Sequence, residues 1–432
     1  MEKAKIAVTI FFALASVAIY LFARGKPWEI KVLKRLIFLS IVAKFGAAIA
    51  IYTFLSHLVT SSDASMYYLP QIKQFLDGQV PYRDFKTSYS ILFHPFFAVP
   101  VLLWKSTGGI VVTMIALESL MLLFYLRRME GHDPIRGCRV GLLYAYSPIT
   151  WYWVALTGYN SIIIASFVMF SLLLAERGRH LSSGIAGALS FLVCKLLAVL
   201  AWPGLLFISR DGLWLRASIL AMSLIFTVGL KLIGINSFWP VEYEYFQQTS
   251  GNLWFPVWVF LPAIKQSVLW QILPIASFFL VWTPLAVKYS RTTRATPGPQ
   301  FDNAVGFIGA TNLLFMILSK KAYPFYLPMA LIFVIHAVFS RREVHSRGIA
   351  ALAFIGATTT LEPYLWNFIR YDTSPLAAHP SYTIALLALD TITVLSYLVL
   401  VLECLSAAYK GGPAHAAAPE ASSQSAALEP ST

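Results

Sequence analysis

Lys195 stands midway through the apolar run 181–209. An ammonium there costs a few kcal/mol, about 2.5–3.5 at a bilayer centre. It must therefore face a partner or a polar cavity, unless it snorkels to the boundary from a helix end. Arg83, Lys320 and Lys321 are further cations at the edges of apolar stretches, and Asp63 is an acid placed just where the run 36–57 has ended. Groups of these types bind anions strongly where water is scarce, and a carboxylate on an apolar rim is pushed up toward neutrality, which suits proton transfer. Each also has a plain structural reading. Asp63 can be solvated or can cap the helix after it. Lys320 and Lys321 can be an ordinary interfacial pair, and Arg83 can pair with its neighbour Asp84.

The elements that hold these residues are set by composition. Of 432 residues, 58% are apolar and 12% charged, half the ~25% usual for soluble domains. The apolar runs approach the ~20 residues needed to cross ~30 Å of hydrocarbon, and lack the alternation of barrel strands. They predict an all-α polytopic membrane protein with spans at 6–23, 36–57, 109–126, 140–155, 161–176, 181–209, 217–234, 265–287, 303–319, 324–339, 348–367 and 382–405. The formal charge of +13 comes in small clusters between these runs, as orientation signals and not as a nucleic-acid face. Cys138, Cys194 and Cys404 lie in or beside apolar segments without metal-ligand spacing, so neither disulfides nor a metal site are expected. The basic start Met1-Glu2-Lys3-Ala4-Lys5 leads into an apolar run longer than a signal segment, expected to be retained as the first helix.

Basic loops at 24–35, 127–139, 177–180, 288–294 and 341–347 are assigned to the cytoplasm. Parity then makes two stretches special. The run 91–104, interrupted by His94-Pro95 and Pro100, should lie along the outer interface. The run 181–209 should be two short helices turning outside near Lys195 to Pro203. The outer face thereby receives the long loop 58–108, the aromatic and acidic loop 235–264, and turns at 157–160, Lys195 and 319–323. In the first loop, Tyr68, Ile72 and Phe75 share one side of an amphipathic helix over 66–76. Residues 1–410 form the membrane domain. The Ala-, Pro- and Ser-rich tail 411–432 is expected to be a disordered cytoplasmic extension.

Asp63 and Tyr67-Tyr68, a short helix, then Gly78-Gln79-Val80-Pro81-Tyr82-Arg83-Asp84-Phe85, Tyr89 and His94-Pro95, form the first outer loop. This order resembles the GT-C glycosyltransferases, and within them the polyprenyl-phosphate-mannose-dependent mannosyltransferases of bacterial and archaeal type. The catalytic subunit of glycosylphosphatidylinositol mannosyltransferase I is a more distant likeness. Lys195 with Pro203, and Ser319-Lys320-Lys321-Ala322-Tyr323-Pro324-Phe325-Tyr326, resemble further elements of that family in the same chain order. The chain departs from its pattern at Tyr89 to Pro95, at Phe325 where the family has Gln, and in carrying a single acid at 63.

The resemblance implies a GT-C-like bundle of about 11–13 transmembrane helices with an amphipathic interfacial helix in the first outer loop. It implies transfer of a sugar, most readily mannose, from a polyprenyl- or dolichyl-phosphate carrier to a glycolipid or glycan acceptor. Transfer would occur on the extracytoplasmic or lumenal face of a plasma or endoplasmic reticulum membrane. Asp63 would be the base, while Arg83, Lys195, Lys320 and Lys321 would hold the donor phosphate. Tyr68, Tyr82, Asp84, His94, Asn160, Glu244, Gln248 and Tyr326 would contact substrate or acceptor. For Glu244 and Gln248 an interfacial aromatic belt explains the surroundings equally well, and His94 also reads as structural. No cofactor, metal or nucleic acid is implied. The rival class is a lipid or solute transporter or flippase, which would carry ionisable sites near the midplane.

Overall fold

The computed structural model describes residues 10–11, 14–15, 17–18, 29–55, 62–236, 247–295, 300–340, 345–372 and 374–409. Most of the expected first span, Glu244 with its neighbours, and the tail 411–432 lie outside the described residues.

Helix α1 (Ile30–Phe54) buries Leu33, Ile37, Ser40, Lys44, Ala48 and Tyr52. That three-to-four spacing makes one face of a helix. Its other faces expose Phe38, Val42 and Ile49. After the wide turn Ala64–Tyr68 come α2 (Leu69–Leu76) and α3 (Phe93–Leu103). Helix α4 (Thr107–Glu130) starts at a Ser106 cap, whose hydroxyl accepts the Gly108 N–H, and ends on Arg127 and Arg128 beside the negative end of its dipole. Helix α5 (Pro134–Ala145) is capped by the Asp133 carboxylate. A short helical piece, Pro148–Leu156, meets α6 (Ser161–Glu176) at an angle of 114°.

Helix α7 (His180–Val193) stops at Cys194 and Lys195. A tight helical stretch, Leu196–Ala201, then leads into α8 (Trp202–Leu206). The break is thus confined to Cys194 and Lys195, because Pro203 sits in the first turn of α8, where a missing N–H is harmless. The remaining long elements are α9 (Leu213–Leu232), α10 (Val268–Ala295), α11 (Phe301–Leu318), α12 (Pro328–Val338), α13 (Ser346–Ile369) and α14 (Pro380–Tyr409). Helix α12 is buried along its whole length and α11 nearly so, which makes them the centre of the bundle.

Among the described residues, α1, α4, α9, α10, α11 and α14 are long and apolar enough to cross a membrane, and the pair bent by 114° that ends in α6 would make a seventh if its two parts form one span. Helix α13 has the length, but Thr358, Thr359, Thr360, Glu362 and Pro363 dilute its apolar character. Helices α3, α7 and α12 are shorter apolar segments. Exposed Leu224, Leu232, Phe279 and Leu280 on α9 and α10 leave an apolar exterior that water would not tolerate. The protein is an all-α multi-pass membrane protein.

Candidate functional site

The polar residues that converge all sit where helices break. Asp63 precedes the wide turn Ala64–Tyr68, and Tyr159 and Asn160 occupy the corner before α6. Lys195 separates α7 from the stretch leading to α8, and Lys320 and Lys321 separate α11 from α12. Non-helical backbone at membrane depth is tolerated where it is buried in protein or lines a cavity. Gly158 makes the α6 corner possible: its φ is +66°, and a Cβ there would meet Val111 at 2.7 Å.

Lys195 is in extended backbone conformation and buried. Its ammonium lies 5.0 Å from the centre of the Tyr89 ring, 5.6 Å from Tyr326 and 5.9 Å from Phe325. Ring faces attract a cation at this range. Among the described residues it meets these rings and the charge of Asp63, but no hydrogen-bond acceptor. Burial raises the pKa of Asp63, and the charges of Lys195 and Lys321 pull it back down. For Lys321, burial and then the Lys195 charge lower the pKa, with Asp63 acting the other way. Burial alone brings Lys320 down to about 8. One partly exposed acid thus shares a water-poor space with two buried ammonium groups.

The walls of this space are aromatic. Tyr159 stacks on Phe325 at 4.1 Å, and Tyr323 stacks on Phe325 at 4.6 Å. The edge of Tyr68 meets Tyr89 at 4.8 Å. The Asn160 N–H donates to the Tyr68 hydroxyl over 3.4 Å, and the Asn160 carbonyl accepts from the Cys194 thiol over 3.3 Å. Among the described residues the buried Asn160 Nδ2 has no acceptor, an unfilled donor of the kind that a polar ligand or water usually completes.

Two segments fix these groups from behind. Ser90 N–H donates to Cys194 O (3.1 Å) and Leu92 N–H to Leu192 O (3.0 Å), so the first loop is tied to the break that carries Lys195. Tyr82 has a left-handed φ of 66°, which costs a bulky residue about 1–2 kcal/mol. Its hydroxyl donates to Tyr89 O, and its N–H to Phe85 O over 2.9 Å. Residues 247–254 clasp the lysine segment: Thr249 N–H reaches Lys320 O (2.9 Å), Ala322 N–H reaches Thr249 Oγ1 (2.8 Å), and Trp254 Nε1 reaches Leu318 O (2.6 Å). Tyr323 also donates to Gln247 Oε1 over 3.0 Å. The clasp is held in turn by Asp390, which accepts the N–H groups of Gly251 (2.6 Å) and Asn252 (2.9 Å), and by Glu362, which accepts the Ser250 hydroxyl.

Of the residues singled out in the sequence, Asp63, Lys195, Lys321, Tyr68, Asn160 and Tyr326 are brought together. Lys320 lies on the same segment, where its ammonium bonds Gln271. Arg83 is not part of the cluster. It is exposed and pairs with Asp84 at 2.8 Å, and that bond, with the Val80 N–H, holds the Asp84 carboxyl at about 2. His94 is a packing residue: it is buried between Phe75, Phe85 and Phe93, with Gln71 Oε1 at 3.4 Å. Tyr82 acts through the Tyr89 carbonyl, and Gln248 is partly buried beside Gln247. Sequence reasoning missed Tyr159, Glu362 and Asp390. The last two gave the same signal as Lys195, a charge inside an apolar run.

A cavity of about 520 Å³ opens next to Lys195, between the first loop, α7, the stretch leading to α8, and α9. Tyr82, Ser90, Leu196, Val199, Leu220 and Leu224 are among its lining residues, which are mostly apolar. Compared with protein-family models, with curated proteins and with solved structures, the chain matches none.

Proposed function

We propose that this protein is a membrane glycosyltransferase of the GT-C type, moving a sugar, most readily mannose, from a polyprenyl-phosphate carrier to a lipid-linked or glycan acceptor. The single observation that carries this reading is the buried Lys195 ammonium. It is caged by Tyr89, Phe325 and Tyr326, it faces a carboxylate, and its chain neighbour Leu196 lines a mostly apolar cavity. A lipid phosphate has this shape of need: an anion for a cation and an isoprenoid tail for a greasy groove.

In the proposed step the donor phosphate sits on Lys195 and Lys321, with its chain in the cavity. Asp63 takes the proton from an acceptor hydroxyl, and the freed oxygen attacks the anomeric carbon from the face opposite the phosphate. The bond from anomeric carbon to phosphate oxygen breaks, and its electron pair leaves with the polyprenyl phosphate, inverting the sugar. The raised pKa of Asp63 suits it to this work near neutral pH. The lysines stabilise charge that grows on the leaving phosphate. In this reading the bundle crosses the membrane 11–13 times, and the Lys195 end faces away from the cytoplasm because the basic loops gather at the other end.

Purified protein supplied with labelled polyprenyl-phosphate-mannose and membrane glycolipids is expected to transfer the label. Asp63→Asn should lower the rate by about 10²–10⁴-fold. Undiminished transfer by Asp63→Asn would remove Asp63 as the base, and no transfer to any glycolipid or glycan acceptor would overturn the activity.

A further inference from the structure

A second cavity, of about 540 Å³, lies at the end of the bundle remote from Lys195, lined by Phe207, Ser209, Arg210, Arg216 and Arg294. Its position follows from the Gln300 N–H, which donates to Ile208 O over 2.9 Å at the start of α11, whereas Lys320 follows the end of α11. Among the described residues, three guanidinium groups line it and no carboxylate does. Among the described residues, none of the three forms an ion pair. Arg216 is fixed in place: it donates to Leu206 O (3.3 Å), Ser209 O (3.4 Å) and Arg210 O (2.9 Å), occupying the open carbonyls beyond α8. Arg294 lies over the Phe207 ring at 5.7 Å.

The surroundings say where the anion comes from. Leu213 and Trp214, in the first turn of α9, are 67% and 68% exposed, and exposed Leu220, Leu224 and Ile225 continue along the same helix. Exposed Trp beside a basic pocket, with a bare apolar helix leading away, is the pattern of a membrane interface followed by acyl-chain contacts.

We propose that this pocket binds the phosphate headgroup of an anionic phospholipid, with its acyl chains lying along α9. The chemistry recognised is a phosphate ester anion gripped by Arg210 and Arg294, while Arg216 holds the backbone that shapes the site. The inference does not rest on the transferase reading: none of the three arginines that carry it belongs to the Lys195 site, although Leu220 and Leu224 of α9 also line the cavity beside Lys195.

The test uses full-length protein in mixed detergent micelles. Lipid retention is measured by native mass spectrometry with phosphatidylglycerol, with phosphatidylcholine, and with inorganic phosphate as competitor. Wild type should retain phosphatidylglycerol in preference to phosphatidylcholine. The double variant Arg210→Gln, Arg294→Gln should weaken phosphatidylglycerol binding about 30-fold, with phosphatidylcholine unchanged. Equal retention of the two lipids, or equal phosphatidylglycerol binding by variant and wild type, overturns the proposal. Displacement of the lipid by equimolar inorganic phosphate would assign the pocket to free phosphate and overturn the lipid assignment.

Discussion

Two charge clusters, one at each end of α11, hold similar groups and treat them in opposite ways. Around Asp302, at the start of α11, Arg128 makes a bidentate pair with Glu176 at 2.7 and 2.8 Å and stacks on Phe301 at 3.6 Å. Asp302 receives Arg136 at 3.4 Å and His336 Nε2 at 2.9 Å, and His336 Nδ1 takes the Tyr125 hydroxyl at 2.8 Å. At the other end of α11, about 27 Å away by helical rise, Asp63 and the Lys195 ammonium share a space, and among the described residues no contact-distance ion pair joins these two. Charges matched at contact distance hold helices together. Charges that attract one another only at longer range leave room for something else, and the structure keeps such room at the Lys195 end alone of these two clusters.

The sharpest way to break the comparison is to unmatch a matched pair. Lys44 Nζ meets Glu118 Oε1 and Thr150 Oγ1, each at 2.8 Å, deep between α1 and α4. Glu118→Ala should cost about 3–5 kcal/mol of stability, measured by thermal unfolding in detergent, with polyprenyl-phosphate affinity of the folded fraction unchanged. A large loss of affinity at unchanged stability would make this pair part of the binding machinery.

Next in size is the clasp. Asp390→Ala strips two N–H groups of their acceptor, which costs about 2–3 kcal/mol. It should loosen residues 247–254, seen as faster hydrogen exchange there and at 319–323. Unchanged exchange would separate the clasp from the lysine segment.

The pH profile carries its own sign. Lys320, next in the chain to the phosphate-holding Lys321, is charged below about 8 and neutral above it, so the positive field at the phosphate falls and phosphate-lipid binding should weaken as pH rises through 8. Asp63, with its pKa raised by burial, loses its basic form as pH falls, so transfer should also fall on the acid side. Binding that is flat from pH 7 to 9.5 would contradict a role for Lys320. The smallest effect expected is that of Tyr82→Phe, which removes only the tie to Tyr89 O. It should cost about 1 kcal/mol of binding, read by the same affinity measurement.

The membrane class was legible because apolar runs state their medium directly, and the break at Lys195 was legible because a lone cation inside such a run demands an explanation. Pairing was not legible. Lys44 and Glu118 carry the same demand as Lys195, yet their partners come from other helices far along the chain. Likewise Glu362 and Asp390 answer to backbone groups of a distant loop. Arg83 misleads for the opposite reason: its partner is its neighbour Asp84, so its place in a motif-like string says nothing about reaching Lys195. Phe325, a departure from the resembling family, is a wall of the site, stacked between Tyr159 and Tyr323.

The most direct test of the account is the affinity of a labelled polyprenyl phosphate for wild type, Lys195→Gln and Asp63→Asn. The account predicts binding weakened by about tenfold or more in Lys195→Gln, where a charge-assisted bond worth about 1.5–3 kcal/mol is lost, and preserved or tightened in Asp63→Asn, where the neighbouring negative charge is gone. Equal affinity in wild type and Lys195→Gln, with both folded, would contradict it.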